Sequence, residues 1–127
     1  MHVLIDGYGG DAALMADCHR LERLLDDYPA QIGMTKIAPA VVYRYEGANP
    51  QDWGLSGFVV IAESHISVHT FPSRCILWAD IFSCKDFDAT AAILTFSQAF
   101  GLKGSTYQIL PRGLHDEVRT GGNNHYL

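Results

Sequence analysis

Polar side chains are concentrated in the middle of the chain, among residues that are otherwise apolar. Polar groups in such surroundings need partners, so a cluster of this kind marks either a hydrogen-bonded core network or a functional site. The residue types are those of metal ligands, nucleophiles and proton donors. The cluster consists of Glu63, Ser64, His65, Ser67, His69, Asp80, Ser83 and Cys84.

A metal site is the first chemistry that these residues suggest. His65 and His69 are four residues apart, a spacing that aligns two imidazoles on a helix, and Cys84 could supply a third ligand. The surrounding residues are typical of strands, however. In a strand four residues span about 13 Å at roughly 3.3 Å each, which is too far for one ion. We therefore predict no metal.

A serine or cysteine nucleophile paired with a histidine is the second chemistry. The chain contains neither a Gly-x-Ser-x-Gly motif nor a papain-like cysteine signature. These motifs therefore offer no support for an acyl-transfer enzyme.

The elements that must position these residues follow from periodicity and from the placement of glycine and proline. Asp11 is a predicted helix N-cap, Pro29 and Gly33 are predicted to end the first helix, and Gly101 ends the second. Helices are predicted over Asp11–Asp27 and Asp86–Phe100, strands over Val3–Ile5, Ala38–Tyr45, Phe58–Ala62, Ile66–Thr70, Ile76–Phe82 and Gly104–Leu110, and a loop over Glu46–Gly57.

The order of these elements predicts the fold class. Short links between neighbouring strands favour antiparallel pairing, since parallel pairs need long crossovers. We therefore expect an α+β protein, a two-layer sandwich in which both helices cover one face of a mainly antiparallel sheet. Residues 1–127 form a single domain in this prediction, and the tail from Pro111 on is an exposed or partner-packed extension.

Composition excludes several classes of function. The formal net charge is −5, and the sequence contains no run of Lys or Arg that would collect phosphate contacts, so we expect no nucleic-acid partner. Three widely spaced cysteines without a CxxC pair favour free thiols in the cytoplasm. With no signal peptide and no long apolar segment, we expect no membrane association.

Two segments resemble the prokaryotic S-adenosylmethionine decarboxylase proenzyme family. Residues 54–72, GLSGFVVIAESHISVHTFP, match the pattern GxSGxVVIxESHxxxHTxP, and residues 79–84 match ADxFxC. The opening His2–Asp11 is similar to the first strand and turn of that family. The resemblance extends to about Leu110 and implies a third chemistry, in which the chain cuts itself.

The resemblance implies specific roles for five residues. Cleavage falls between Glu63 and Ser64, leaving a β chain of residues 1–63 and an α chain of residues 64–127. Ser64 becomes a covalent pyruvoyl cofactor, which serves as an electron sink during loss of CO₂. Ser56 and His69 match the processing residues that assist cleavage, and Cys84 matches the proton donor of the decarboxylation.

Four further residues are expected to contact the substrate. Asp6 stands where the family has an acidic residue near the substrate, and Tyr45 stands where a base-stacking aromatic residue is expected. Phe71 and Ser73 depart from the family pattern, which reads HTWPE where this chain reads HTFPS. Ser73 is neutral and shorter than a glutamate, and it cannot offer the bidentate acceptance of a carboxylate to the two hydroxyls of a ribose.

These departures predict a changed substrate. We expect a pyruvoyl-dependent decarboxylase of polyamine biosynthesis that acts on a cationic amino acid, leaning to L-arginine or L-ornithine, with S-adenosylmethionine itself as the alternative. The resemblance also implies a homodimer of cleaved protomers. A non-catalytic partner subunit is the remaining alternative, although Ser64, His69 and Cys84 are all present.

Overall fold

The structure is a computed structural model that describes residues 1–112. Within that range six strands form one antiparallel sheet. In chain order the elements are β1 (His2–Tyr8), α1 (Ala12–Met15), α2 (Cys18–Gln31), β2 (Val41–Tyr45), β3 (Gly54–Ile61), β4 (Ser64–Phe71), β5 (Ile76–Ser83), α3 (Ala89–Phe100) and β6 (Gly104–Leu110). The strand order across the sheet is β2-β3-β4-β5-β1-β6.

One face of the sheet is buried beneath the helices. Alternate residues of the inner strands supply this face, because successive side chains of a strand point to opposite sides. Each fully buried leucine, isoleucine or phenylalanine contributes about 1.5–3 kcal/mol. The core includes Val3, Ile5, Val59, Ile66, Val68, Leu77 and Ile81 from the sheet, and Met15, Leu21, Leu25, Ala92, Phe96 and Phe100 from the helices. The predicted α+β two-layer fold is confirmed.

The first predicted helix is two helices. We expected one helix over Asp11–Asp27, but Asp17 has an extended backbone (φ −85°, ψ 96°) and separates α1 from α2. The Asp17 carboxylate accepts a hydrogen bond from the N–H of Arg20 at 2.9 Å, and Asp11 caps α1 in the same way. A short acidic side chain thus begins a new helix inside a pattern that remains apolar on one side.

The prediction that Pro29 helps to end the first helix is wrong, because α2 continues to Gln31. Tyr28 and Pro29 are buried, and this packing offsets the hydrogen bond that a proline cannot donate. Helix α3 begins at Ala89, three residues later than expected, because Asp88 caps it by accepting from the N–H of Ala91. It ends at Gly101, as predicted, in the left-handed conformation (φ 60°).

The strands differ from prediction mainly at their ends. β2 begins at Val41 rather than Ala38, whereas β3 begins at Gly54, inside the segment that was expected to be a loop. Gly54 permits this pairing because a Cβ atom there would lie 1.7 Å from the carbonyl oxygen of Thr70. Position 54 therefore requires a glycine, because β3 and β4 approach each other closely there.

Pro111 and Arg112 follow β6 and are exposed. The remainder of the tail that was predicted to be an extension lies outside the described residues. Among residues 1–112, no helix combines the length and the apolar character needed to cross a bilayer.

Candidate active site

The predicted scissile bond lies at the end of a tight hairpin. β3 and β4 are joined by two residues, Ala62 and Glu63. Two-residue hairpins favour turns with positive φ at the connecting residues. Neither connecting residue has positive φ here. Among the non-glycine residues of the described chain, positive φ occurs instead at Ser64 (149°) and Cys75 (54°). The strain of this turn therefore falls on Ser64, at a cost of about 1–3 kcal/mol.

The carbonyl group of Glu63 is held by the end of β5. The backbone N–H of Cys84 donates to this carbonyl oxygen at 2.9 Å. Ser64 is paired with Ser83 in the β4–β5 ladder, and the Met1 ammonium donates to the carbonyl oxygen of Ser83 at 2.7 Å. The hairpin thus brings together Glu63, Ser64 and Cys84 through backbone contacts.

The other face of the sheet is not covered by the helices. Cross-strand pairing aligns one row of side chains across this open face, from the edge strand β2 to the edge strand β6. The row consists of Tyr43, Ser56, His69, Trp78, Asp6 and Thr106.

The two predicted processing residues are in contact. Ser56 Oγ lies 2.9 Å from His69 Nδ1, because these residues are directly opposite each other on β3 and β4. Within one protomer His69 lies well away from Ser64, although both belong to β4. The two residues are five positions apart on an extended strand, a span of about 16 Å at roughly 3.3 Å per residue.

Two of the predicted substrate-binding residues lie in the same region as His69. Asp6 and His69 line an open depression that also includes Trp78. Phe71 contacts Trp78 edge-on, with ring centroids 4.8 Å apart. This part of the open face therefore offers a carboxylate beside aromatic surfaces, which suits a cationic ligand with a flat ring.

The other two predicted substrate-binding residues are at the margin. Tyr45 lies on the edge strand β2 and is 61% exposed. Ser73 lies in the turn after β4, where its hydroxyl accepts a hydrogen bond from the indole N–H of Trp53 at 2.9 Å. Trp53 also lies beneath the Arg44 guanidinium, 4.2 Å from the ring centre. Ser73 is thus already paired with the loop that follows β2.

Trp78 is a further residue of the open face, 52% exposed between His69 and Asp6. The alternation in residues 76–82, ILWADIF, could have located it, because Leu77, Ala79 and Ile81 belong to the core. The same alternation places Asp80 on the open face.

Asp80 connects three side chains on the open face, in agreement with the preference of a half-buried carboxylate for partners. Its Oδ1 lies 3.2 Å from the Nε2 atoms of both His2 and His65. Its Oδ2 accepts a hydrogen bond from Ser67 at 2.6 Å. Asp80 thereby holds the side chain of His65, the residue that follows Ser64.

Comparisons with known proteins identify the family of the chain. Residues 1–113 match the family model described as S-adenosylmethionine decarboxylase. The chain belongs to the S-adenosylmethionine decarboxylase family. It is 27% identical to the adenosylmethionine decarboxylase from Aquifex aeolicus VF5, whose crystal structure superimposes with a TM-score of 0.75 over 97% of this chain and 95% of that one.

Relatives with the name S-adenosylmethionine decarboxylase proenzyme cover most of the chain. The protein from Pelotomaculum thermopropionicum is 30% identical over 118 residues, which are 92% of this chain and 89% of that protein. The protein from Archaeoglobus fulgidus is 29% identical over 113 residues, 88% of this chain and 96% of that protein.

Membership establishes the class of chemistry. Proenzymes of the S-adenosylmethionine decarboxylase family cleave themselves and convert a serine to a pyruvoyl group, so this protein is a pyruvoyl-dependent decarboxylase. The relatives are named for S-adenosylmethionine, and these findings do not support the predicted preference for arginine or ornithine. The alternative substrate, S-adenosylmethionine, has the better support.

Proposed function

We propose that this protein is an S-adenosylmethionine decarboxylase proenzyme that cuts itself between Glu63 and Ser64. The observation that carries the proposal is the geometry of this bond. The N–H of Cys84 donates to the Glu63 carbonyl oxygen at 2.9 Å, and the next residue, Ser64, has a strained backbone. A polarised carbonyl next to a strained serine is suited to attack by that serine.

The cleavage can be written so that its atoms balance. Ser64 Oγ bonds to the carbonyl carbon of Glu63, the C–N bond breaks, and the freed amine of Ser64 takes up the hydroxyl proton. A base then removes the Cα proton of Ser64, and the Cβ–O bond breaks to leave a carboxylate on Glu63. Tautomerisation of residue 64 and hydrolysis by water release ammonia and leave the pyruvoyl group.

Cys84 is proposed to be the proton donor of the decarboxylation. The pyruvoyl group supplies a carbonyl that accepts the electron pair as CO₂ leaves. A positioned acid must then protonate the substrate α-carbon, and a thiol next to the cleavage site can do this. Cys84 is exposed at the end of β5 and adjoins Glu63, which supports this role.

S-adenosylmethionine is the proposed substrate. Its support comes from the family and from the open face, where Asp6 lies beside Trp78 and Phe71 contacts the same ring. S-adenosylmethionine carries a sulfonium cation and a flat base, for which a carboxylate and aromatic rings are suitable partners. We propose that Tyr45 contributes to the same aromatic surface, whereas Ser73 is occupied by Trp53.

A homodimer is proposed because one protomer does not assemble the whole site. Ser56 and His69 form a pair about 16 Å along β4 from Ser64, given roughly 3.3 Å per residue. A second copy stacked on the open face under two-fold symmetry would bring the pair of each protomer to the Ser64 of the other. We propose that His69 of the partner subunit removes the Cα proton.

A cytoplasmic location is also proposed. Cys18, Cys75 and Cys84 are free thiols, and free thiols persist in a reducing compartment.

Intact masses and an activity assay test the function. The wild-type protein should appear as two chains, residues 1–63 and residues 64–127 with a pyruvoyl terminus, and should release CO₂ from S-adenosylmethionine. Ser64→Ala should remain one chain of 14.0 kDa without activity. An uncut wild-type chain would favour the non-catalytic subunit instead. Release of CO₂ from arginine or ornithine alone would refute S-adenosylmethionine as the substrate.

A further inference from the structure

Glu63 is held through its side chain as well as through its carbonyl group. The backbone N–H of Thr35 donates to Glu63 Oε2 at 3.0 Å. The carbonyl oxygen of Thr35 accepts a hydrogen bond from the N–H of Ala62 at 2.8 Å. Thr35 therefore binds both residues of the hairpin turn, on the side away from Cys84.

The segment that includes Thr35 is itself anchored. Ile37 N–H donates to the carbonyl oxygen of Val60 at 3.1 Å, and the backbone of Lys36 forms an antiparallel β-bridge with Ile61. The segment therefore continues the pairing along β3. The Asp26 carboxylate on α2 accepts from Lys36 at 2.7 Å and from the N–H of Ala40 at 2.9 Å. These contacts fasten the segment to α2.

The hydrogen bond from Lys36, followed by that from the N–H of Ala40, lowers the pKa of Asp26. The carboxylate of Asp26 is therefore charged over the whole neutral range. The contacts of Asp26 with Lys36 and with the N–H of Ala40 are therefore maintained at neutral pH.

The anchored turn leaves little freedom at the scissile bond. Glu63 is fixed from one side by Thr35 and from the other by Cys84, and Ser64 is fixed by its pairing with Ser83. A strained backbone persists when its surroundings over-determine it. The φ of 149° at Ser64 is the conformation that connects Glu63, held by Thr35 and Cys84, to the β4–β5 ladder.

We propose that Glu63 is a positioning residue for self-cleavage. Its side chain accepts a hydrogen bond from the N–H of Thr35 and thereby holds the turn in the conformation that strains Ser64. The inference rests on the proposed cleavage between Glu63 and Ser64. In this role Glu63 needs an acceptor oxygen and takes up no proton. The same hydrogen bond would hold the new end of the β chain beside Cys84 after cleavage.

The test compares the rate of cleavage in Glu63→Ala and Glu63→Gln, followed by mass spectrometry during cell-free synthesis. A charged hydrogen bond of this kind corresponds to about a 10- to 100-fold effect, so Glu63→Ala should be cut at least about 10-fold more slowly. Glu63→Gln keeps an acceptor oxygen and should be cut within a few-fold of the wild-type rate. Glu22→Ala, an exposed glutamate on α2, is the matched control.

Two outcomes would overturn the inference. Cleavage of Glu63→Ala at the wild-type rate would show that the contact with Thr35 is dispensable, and equal slowing of Glu63→Gln would show that the charge is required. Thermal unfolding of each variant with Ser64→Ala separates slow cleavage from misfolding. Failure of the wild-type chain to cut would instead refute the proposed function.

Discussion

Cys84 combines two contributions that belong to different parts of the residue. Its backbone N–H holds the Glu63 carbonyl oxygen at 2.9 Å, and its thiol is the proposed proton donor. The backbone contribution is available to any residue other than proline, whereas the proton donor depends on the side chain. The two steps of the proposed reaction are therefore separable at this position.

Replacement of Cys84 by alanine tests this separation. Cys84→Ala should still be cut, since the N–H remains, but decarboxylation should fall by about 10²–10⁴-fold, as is typical for loss of a general acid. The measurements are intact mass and CO₂ release from S-adenosylmethionine. Cys75→Ala, which alters a half-buried thiol away from the hairpin, is the control. An uncut Cys84→Ala chain with a native fold would show that the thiol also takes part in cleavage.

The helices support the site indirectly, because they pack against the buried face of the sheet and form the core with it. Tyr28 on α2 and Phe96 on α3 contact each other edge-on, with ring centroids 5.3 Å apart. The Tyr28 hydroxyl is buried without a hydrogen-bond partner among the described residues, and the Thr95 hydroxyl nearby donates to Ala91 instead. Burial raises the pKa of Tyr28 to about 12.

This pKa predicts a loss of stability at high pH. The fold favours neutral Tyr28, so its contribution is complete below the unfolded-state pKa of about 10 and is lost as pH rises toward 12. The full loss is about 2–3 kcal/mol, from a difference of about two pKa units.

Urea unfolding of Ser64→Ala with and without Tyr28→Phe measures this loss. The free energy of unfolding should fall more steeply above about pH 10 in the chain that keeps Tyr28. Tyr107→Phe, which alters an exposed tyrosine, should leave the pH dependence unchanged. If the free energy of unfolding depends on pH in the same way with and without Tyr28, the prediction is wrong.

Within residues 1–112 the sheet has a core on one side and, on the other, a face that no described element covers. Large apolar side chains on that face are exposed, including Phe58 (43%) and Trp78 (52%). Exposed apolar surface of this kind marks an interaction site. The second copy proposed above would cover this face and also complete the site, because the Ser56–His69 pair and Ser64 lie far apart on one protomer.

Complementation between two defective chains tests this arrangement. Ser64→Ala and His69→Ala should each remain uncut alone. Co-expressed, they should form mixed dimers in which His69 of the partner subunit serves the intact Ser64, so the His69→Ala chain should be cut. Distinct tags and intact masses identify which chain is cleaved.

The matched control for complementation is co-expression of Ser56→Ala with His69→Ala. Every Ser56–His69 pair in those mixed dimers lacks one member, so cleavage should stay slow. If Ser64→Ala with His69→Ala also stays uncut although dimers form, the pair acts within its own chain and the proposed arrangement is refuted.

The sequence by itself determined the class of fold and the hairpin that carries the proposed cleavage. Alternation along β4 and β5 specified two faces, and the short links specified antiparallel pairing, because both depend on neighbouring residues. The contiguous motif around Glu63 and Ser64 located the family. Local signals were weakest at Asp17 and Pro29, where capping and burial decided how the helices are divided.

Only the tertiary structure decided which of the distant residues meet. It paired Trp53 with Ser73, linked Thr35 to Glu63 and placed Trp78 beside Asp6. It also kept His69 and Ser64, two residues of one motif, far apart along β4. The physical reason is that an extended strand keeps residues five positions apart at a distance, whereas hydrogen bonds and ladders between segments join residues that the sequence does not relate.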